Sequence, residues 1–130
     1  MNAKHYVSLE AAKKLIGYDW ECEYAYNEIN MQIERMYANA NAISDYCSCP
    51  TLLEAMDWLE DRGIIIMLMC ERIVDMLGLT KWNYAVVHCG KIYYEKINEN
   101  EPPSNENVKY YTDRNECMQK AIEKALEYVE

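Results

Sequence analysis

The spacing of hydrophobic positions switches along the chain between helical and two-residue periods, and the switches mark its elements. Leu9, Ala12, Leu15 and Ile16 recur at helical spacing behind Ser8, a natural N-cap, with Glu10 favourable at the positive end. Gly17 is placed to stop this short helix in a left-handed conformation. Trp20, Cys22, Tyr24 and Tyr26 then alternate with Glu21, Glu23 and Ala25, the period of a half-buried strand. From Glu28 to Ser48 the pattern is weakest: Ile29, Ile33, Met36 and Tyr37 suggest a helical turn or two before Asn39-Ala40-Asn41-Ala42 drifts into loop.

The strongest local signal is Pro50-Thr51-Leu52-Leu53-Glu54, where Thr51 and Glu54 form a capping box. Leu52, Met56 and Leu59 share one face of the helix that follows, Asp57, Glu60 and Asp61 the wet one, and Gly63 ends it. Ile64 to Cys70 has no polar face and reads as a central strand covered on both sides, while 71–78 fits either helix or strand. Trp82–His88 and Lys91–Ile97 make a hairpin about a Cys89-Gly90 turn. In its second strand Lys91, Tyr93, Glu95 and Ile97 share one side, opposite Ile92, Tyr94 and Lys96. Residues 98–107 contain nothing to bury and read as a mobile loop within one domain spanning 1–130. Thr112 caps a last helix whose apolar stripe is Met118, Ala121, Ile122, Ala125 and Val129. The fold class that follows is α+β: about three helices packed on one face of a small, mostly antiparallel sheet of three to five strands.

Composition narrows the function classes. The net charge is −9, and residues 1–50, 51–100 and 101–130 each carry −3, so neither a basic nucleic-acid footprint nor an acidic tail is present. The N-terminal residues have no apolar stretch behind their charge, and the longest apolar run is far shorter than a membrane span, so a cytoplasmic protein is expected. The six cysteines are then expected to be reduced and mostly buried, with Cys70 and Cys89 acting as small hydrophobes in apolar runs. Cys47-Ser48-Cys49 is a poor chelate for tetrahedral zinc, and neither a metal site nor a cofactor is expected.

Catalytic templates fail for want of parts. Phosphate-binding glycine loops, a His-Glu-x-x-His helix and a Gly-x-Ser-x-Gly elbow are all missing, and His5 and His88 are the only histidines. His88-Cys89 suggests a thiol nucleophile, but neighbours in a strand point to opposite faces, so the imidazole should not reach the sulfur. No enzymatic activity is expected. Twelve Tyr and three Trp without Phe favour amphipathic contact instead. Tyr84, Tyr93, Tyr94, Tyr110 and Tyr111 make the C-terminal sheet the candidate binding surface.

Three segments resemble a group of small phage- or prophage-borne proteins of gut bacteria: Ser8 to Asp19, Pro50 to Leu59, and the closing helix from Tyr111 to Val129. That group reads S-x-E-x-A, then P-T-L-x-E-A-x-x-W-L-R, then a helix with A-I-x-x-A-L; here Glu60 stands in place of the Arg. The resemblance implies provenance and a common fold rather than a mechanism. The expected function is a non-enzymatic accessory protein that binds a host or phage protein, with a homodimer as one form of such contact. The alternatives are a small-molecule binder that sequesters a nucleotide-like ligand, and an acidic mimic of nucleic acid; direct nucleic-acid or membrane binding is not expected.

Overall fold

The computed structural model describes residues 2–18, 20–73 and 79–129. The class is α+β, with the strands in two three-stranded antiparallel sheets. Each sheet lies in its own compact unit, Met1–Ala55 and Met56–Glu130. The division follows connectivity: each sheet is built from consecutive strands joined by turns or short connections.

In the first unit, helix α1 (Leu9–Lys14) starts where the pattern placed it, with the Ser8 hydroxyl accepting from Ala11 N at 3.2 Å. Its end differs. Gly17 does not take a positive φ; the chain unwinds through successive i to i−3 bonds from Leu15, Ile16 and Tyr18. Strand β1 (Glu21–Asn27) is the centre of the sheet, between β2 (Gln32–Asn39) and β3 (Tyr46–Ser48). A register shift between Cys22 and Tyr24 interrupts the alternation, so Cys22 and Ala25, three apart, are both buried. Ala25, grouped by period with the glutamates, is therefore a core residue.

The helical turn expected within 28–48 is strand β2. Asn27 and Asn30 hold a tight turn by accepting from Ile29 N and Gln32 N, each at 3.0 Å, and Met31 closes it at φ 60°. The chain then returns antiparallel, pairing Tyr24 with Arg35 and Tyr26 with Ile33. The connection to β3 is tied down by Asn41, which donates to Leu15 O and Tyr18 O and accepts from Ser48 N.

Helix α2 (Leu52–Glu60) opens on the expected capping box: Thr51 N donates to Glu54 Oε1 at 3.0 Å and Glu54 N to Thr51 Oγ1 at 3.1 Å. Leu52, Ala55 and Leu59 are its buried face, and Gly63, at φ 77°, follows its last turn.

In the second unit, β4 (Ile64–Ile73) and β5 (Leu79–His88) pair in unbroken register from Ile64–His88 to Ile73–Leu79, and β6 (Lys91–Tyr94) completes the sheet. Residues 71–73 are thus strand; 74–78 lie outside the described residues. The order β4-β5-β6 makes β4 an edge, so the run expected to be a central covered strand exposes Ile65 and Met67. Helix α3 (Arg114–Leu126) is capped by Asp113 rather than Thr112 and lies against β4 and β5 through Met118, Ala121, Ile122, Ala125 and Leu126. The 98–107 segment does bury something: Asn107, whose amide donates to the carbonyls of Asn98, Glu101 and Pro102 and accepts from Asn98 N.

Candidate functional site

The two faces of the second sheet follow from strand parity and register. On one face Ile64 is in line with His88 and Lys91, and Ile66 with Val86 and Tyr93. Tyr128, just beyond α3, packs there against Tyr93 (ring centroids 4.7 Å apart, stacked) and His88 (5.4 Å). This is the helix-covered face, and Tyr84 and Val86 are buried on it.

The opposite face carries two apolar rows that cross all three strands, Ile65–Val87–Ile92 and Met67–Ala85–Tyr94. Ile65 and Met67 are each 45% exposed and Ile92 54%. An antiparallel sheet with one solvated face ordinarily turns polar residues outward. Here the outward face is apolar at its centre.

The five candidate tyrosines divide between these faces. Tyr84 and Tyr111 are buried, and the Tyr111 hydroxyl donates to Glu95 Oε2 at 2.5 Å. Burial and Glu95 together raise the pKa of both phenols, so they stay protonated and serve the core. Tyr93 is taken up by Tyr128. Tyr94 lies on the apolar outward face, and Tyr110 lies under Lys81, whose Nζ is 4.4 Å from its ring centroid. The structure therefore does not gather the five into one surface. The pattern of Ile64–Cys70 alone fits a strand covered on both sides equally well; its place at the edge of the sheet is what turns Ile65 and Met67 to solvent.

A second feature sits on the helix-covered side. A half-open cleft of about 350 Å³ is lined by Arg62, Ile64, His88, Cys89, Tyr128 and Val129. The hairpin turn places Cys89 at its mouth. Cys89 and Gly90 both have positive φ, 52° and 76°, the conformation of a type I′ turn. This rotates Cys89 out of strand geometry and brings Sγ to 3.4 Å from His88 Nε2. The expectation that the imidazole could not reach the sulfur fails for that reason: the opposite-face rule holds within a strand and stops at the turn. Arg62 covers the ring of Trp58 at 3.5 Å, so that Trp is helix-edge packing.

The thiols are mostly buried, as expected, but two of them are not. Cys22, Cys47, Cys49 and Cys117 are buried, whereas Cys70 and Cys89, expected as small hydrophobes in apolar runs, are exposed. Burial pushes the Cys47 thiol up to about 11 and those of Cys22, Cys49 and Cys117 to about 12. Among the described residues no group of three His, Cys, Asp or Glu side chains could hold a metal ion, and no helix is long and apolar enough to cross a membrane. Comparison of the chain with protein-family models, with curated proteins and with solved structures finds no match.

Proposed function

We propose that the chain is a non-enzymatic protein-interaction module, an accessory protein of phage or prophage type, whose partner docks on the outward face of the second sheet. The observation that carries this reading is the row Ile65–Val87–Ile92, exposed at Ile65 and Ile92 and half-buried at Val87, with exposed Met67 and half-buried Tyr94 on either side of the buried Ala85. Contiguous apolar surface on a chain with 27% charged residues costs solubility unless a partner covers it. Tyr94 adds the amphipathic contact that such centres favour.

The chemistry of the occupant follows from charge. A net −9 spread over the whole chain repels a second copy and attracts a partner whose contact patch is apolar at its centre and basic at its rim. The partner is thus a distinct host or phage protein. A nucleotide-like ligand is less well served, since the Tyr128 ring that would stack a base in the cleft is already packed by Tyr93 and His88.

Capture from host lysate by immobilised wild-type protein and by Ile92→Asp tests the reading. The expected result is a basic protein retained by the wild type and weakened about tenfold or more by Ile92→Asp, with circular dichroism unchanged. Capture indifferent to Ile92→Asp overturns the assignment of this face. Sedimentation showing a wild-type dimer that Ile92→Asp dissociates replaces the basic partner with a second copy.

A further inference from the structure

Two thiols reach solvent, and their surroundings differ. Cys70 lies on β4, paired with Trp82 through the backbone, and its thiol has no hydrogen-bond partner among the described residues. Cys89 has the His88 imidazole 3.4 Å from its sulfur and opens onto the 350 Å³ cleft. Among the described residues that line the cleft, Arg62 carries the charge, its guanidinium lying over the Trp58 ring, while the Glu127 carboxylate and the Lys124 ammonium both act on Tyr128 beside it. Lys91, paired with His88 in the sheet register, adds a further cation on the same face. A nucleophile, a proton acceptor, a space for a small appended group and a local positive charge therefore meet at one turn.

We propose that Cys89 is a thiol-exchange site that forms a mixed disulfide with small carboxylate-bearing disulfides of the glutathione class. His88 Nε2 accepts the thiol proton, and the Cys89 sulfur attacks one sulfur of the incoming disulfide. A new S–S bond forms as the old one breaks, and the expelled thiolate leaves with the proton held by His88. Cys89 is oxidised and the departing half of the reagent is reduced, so no further oxidant is required. The attached half lies in the cleft against Ile64, Tyr128 and Val129, its carboxylates toward Arg62. The four buried thiols take no part, since burial both occludes them and keeps them protonated. This site lies on the opposite side of the sheet from the proposed docking face, so either assignment can fail without the other.

The experiment exposes the full chain to oxidised glutathione and, in parallel, to cystamine, a cationic disulfide, and follows adducts at Cys89 and Cys70 by peptide mapping. With oxidised glutathione, Cys89 is expected to react about tenfold faster than Cys70. The ratio should be smaller with cystamine, Arg62→Gln should erase that preference, and His88→Gln should bring Cys89 close to the Cys70 rate. Equal rates at Cys70 and Cys89 in the wild type overturn the site, as does a ratio unchanged by His88→Gln. A cystamine ratio equal to or above that of glutathione overturns the anionic class. Because Cys70 is an internal reference in the same molecule, the wild-type ratio stands even where a variant folds poorly.

Discussion

The two three-stranded sheets solve the same problem by different means. The first is irregular: a register shift interrupts β1, and Met31, Tyr37 and Asp45 all hold positive φ without being glycine. Side-chain amides compensate, with Asn27, Asn30 and Asn41 accepting or donating to backbone groups that the short strands leave unpaired. The second sheet has ten consecutive pairs between β4 and β5 and a two-residue turn into β6. Its central strand β5 is paired on both sides from Ala85 to His88 without help from side-chain amides, which frees side chains on the outward face from that duty. That is where Ile65, Met67 and Ile92 are exposed, and its turn is where the solvent-facing thiol of Cys89 sits.

Alkaline pH should separate the two units most strongly. The first unit buries Cys22, Cys47 and Cys49, raised to about 12, 11 and 12, and the second buries Cys117, raised to about 12. Because burial raises each folded-state value above the ordinary thiol value of 9, the stability these groups contribute is complete below pH 9 and falls as pH climbs toward 11 or 12. At pH 10 the loss is about 1 kcal/mol per thiol, from three thiols in the first unit and one in the second, with a smaller loss added by the phenols of half-buried Tyr26 in the first and buried Tyr84 and Tyr111 in the second. Iodoacetamide alkylation mapped by peptide should therefore label Cys47 and Cys49 before Cys117 as pH rises from 8 to ~10. Simultaneous labelling would mean that the two units unfold together.

A smaller contrast lies in the asparagines. Asn41 bonds Leu15 O, Tyr18 O and Ser48 N at 3.1, 2.8 and 2.8 Å, joining three separate segments. Asn107 makes four comparable bonds, all within its own loop. Asn41→Ala is expected to cost about 2–3 kcal/mol and Asn107→Ala about 1–2 kcal/mol, read from urea denaturation. Equal costs would show that the irregular sheet does not depend on its amides more than the regular one does.

What could be read from residues follows the same division. The Thr51–Glu54 box, the Ser8 cap, the Cys89-Gly90 turn and the α3 stripe from Met118 to Ala125 are local signals, each complete within a few residues, and the structure places them as expected; Val129, the last member of that stripe, falls beyond the end of the helix. Strand β2 was hidden because Ile33, Met36 and Tyr37 also fit a helical period; only the Asn27–Met31 turn decides between them, through its left-handed residue. The burial of Ala25 depends on the register shift beside it, which period alone does not contain. The candidate site suffered from the same limit. Five tyrosines close in sequence looked like one surface, but alternate residues of a strand serve opposite faces, and Tyr84, Tyr93 and Tyr111 went to the helix-covered side.

The finest test of the contrast is the hairpin turn itself. In a two-residue type I′ turn the first central position favours Asn, Asp or Gly, because a side chain with no local hydrogen bond gains nothing from the left-handed region. Cys89 occupies it at φ 52°, in an otherwise regular sheet. Cys89→Asn should therefore stabilise the second unit by about 0.5–1 kcal/mol, seen as a higher urea midpoint, while abolishing the disulfide adduct. Unlike Met31 and Tyr37, which share this conformation, Cys89 carries a nucleophile beside a proton acceptor, and that combination fits a position held for its chemistry. If Cys89→Asn leaves stability unchanged or lowers it, the sulfur is serving the turn through its contact with His88, and the conformational argument for a reactive role is withdrawn while the rate comparison with Cys70 still decides the site.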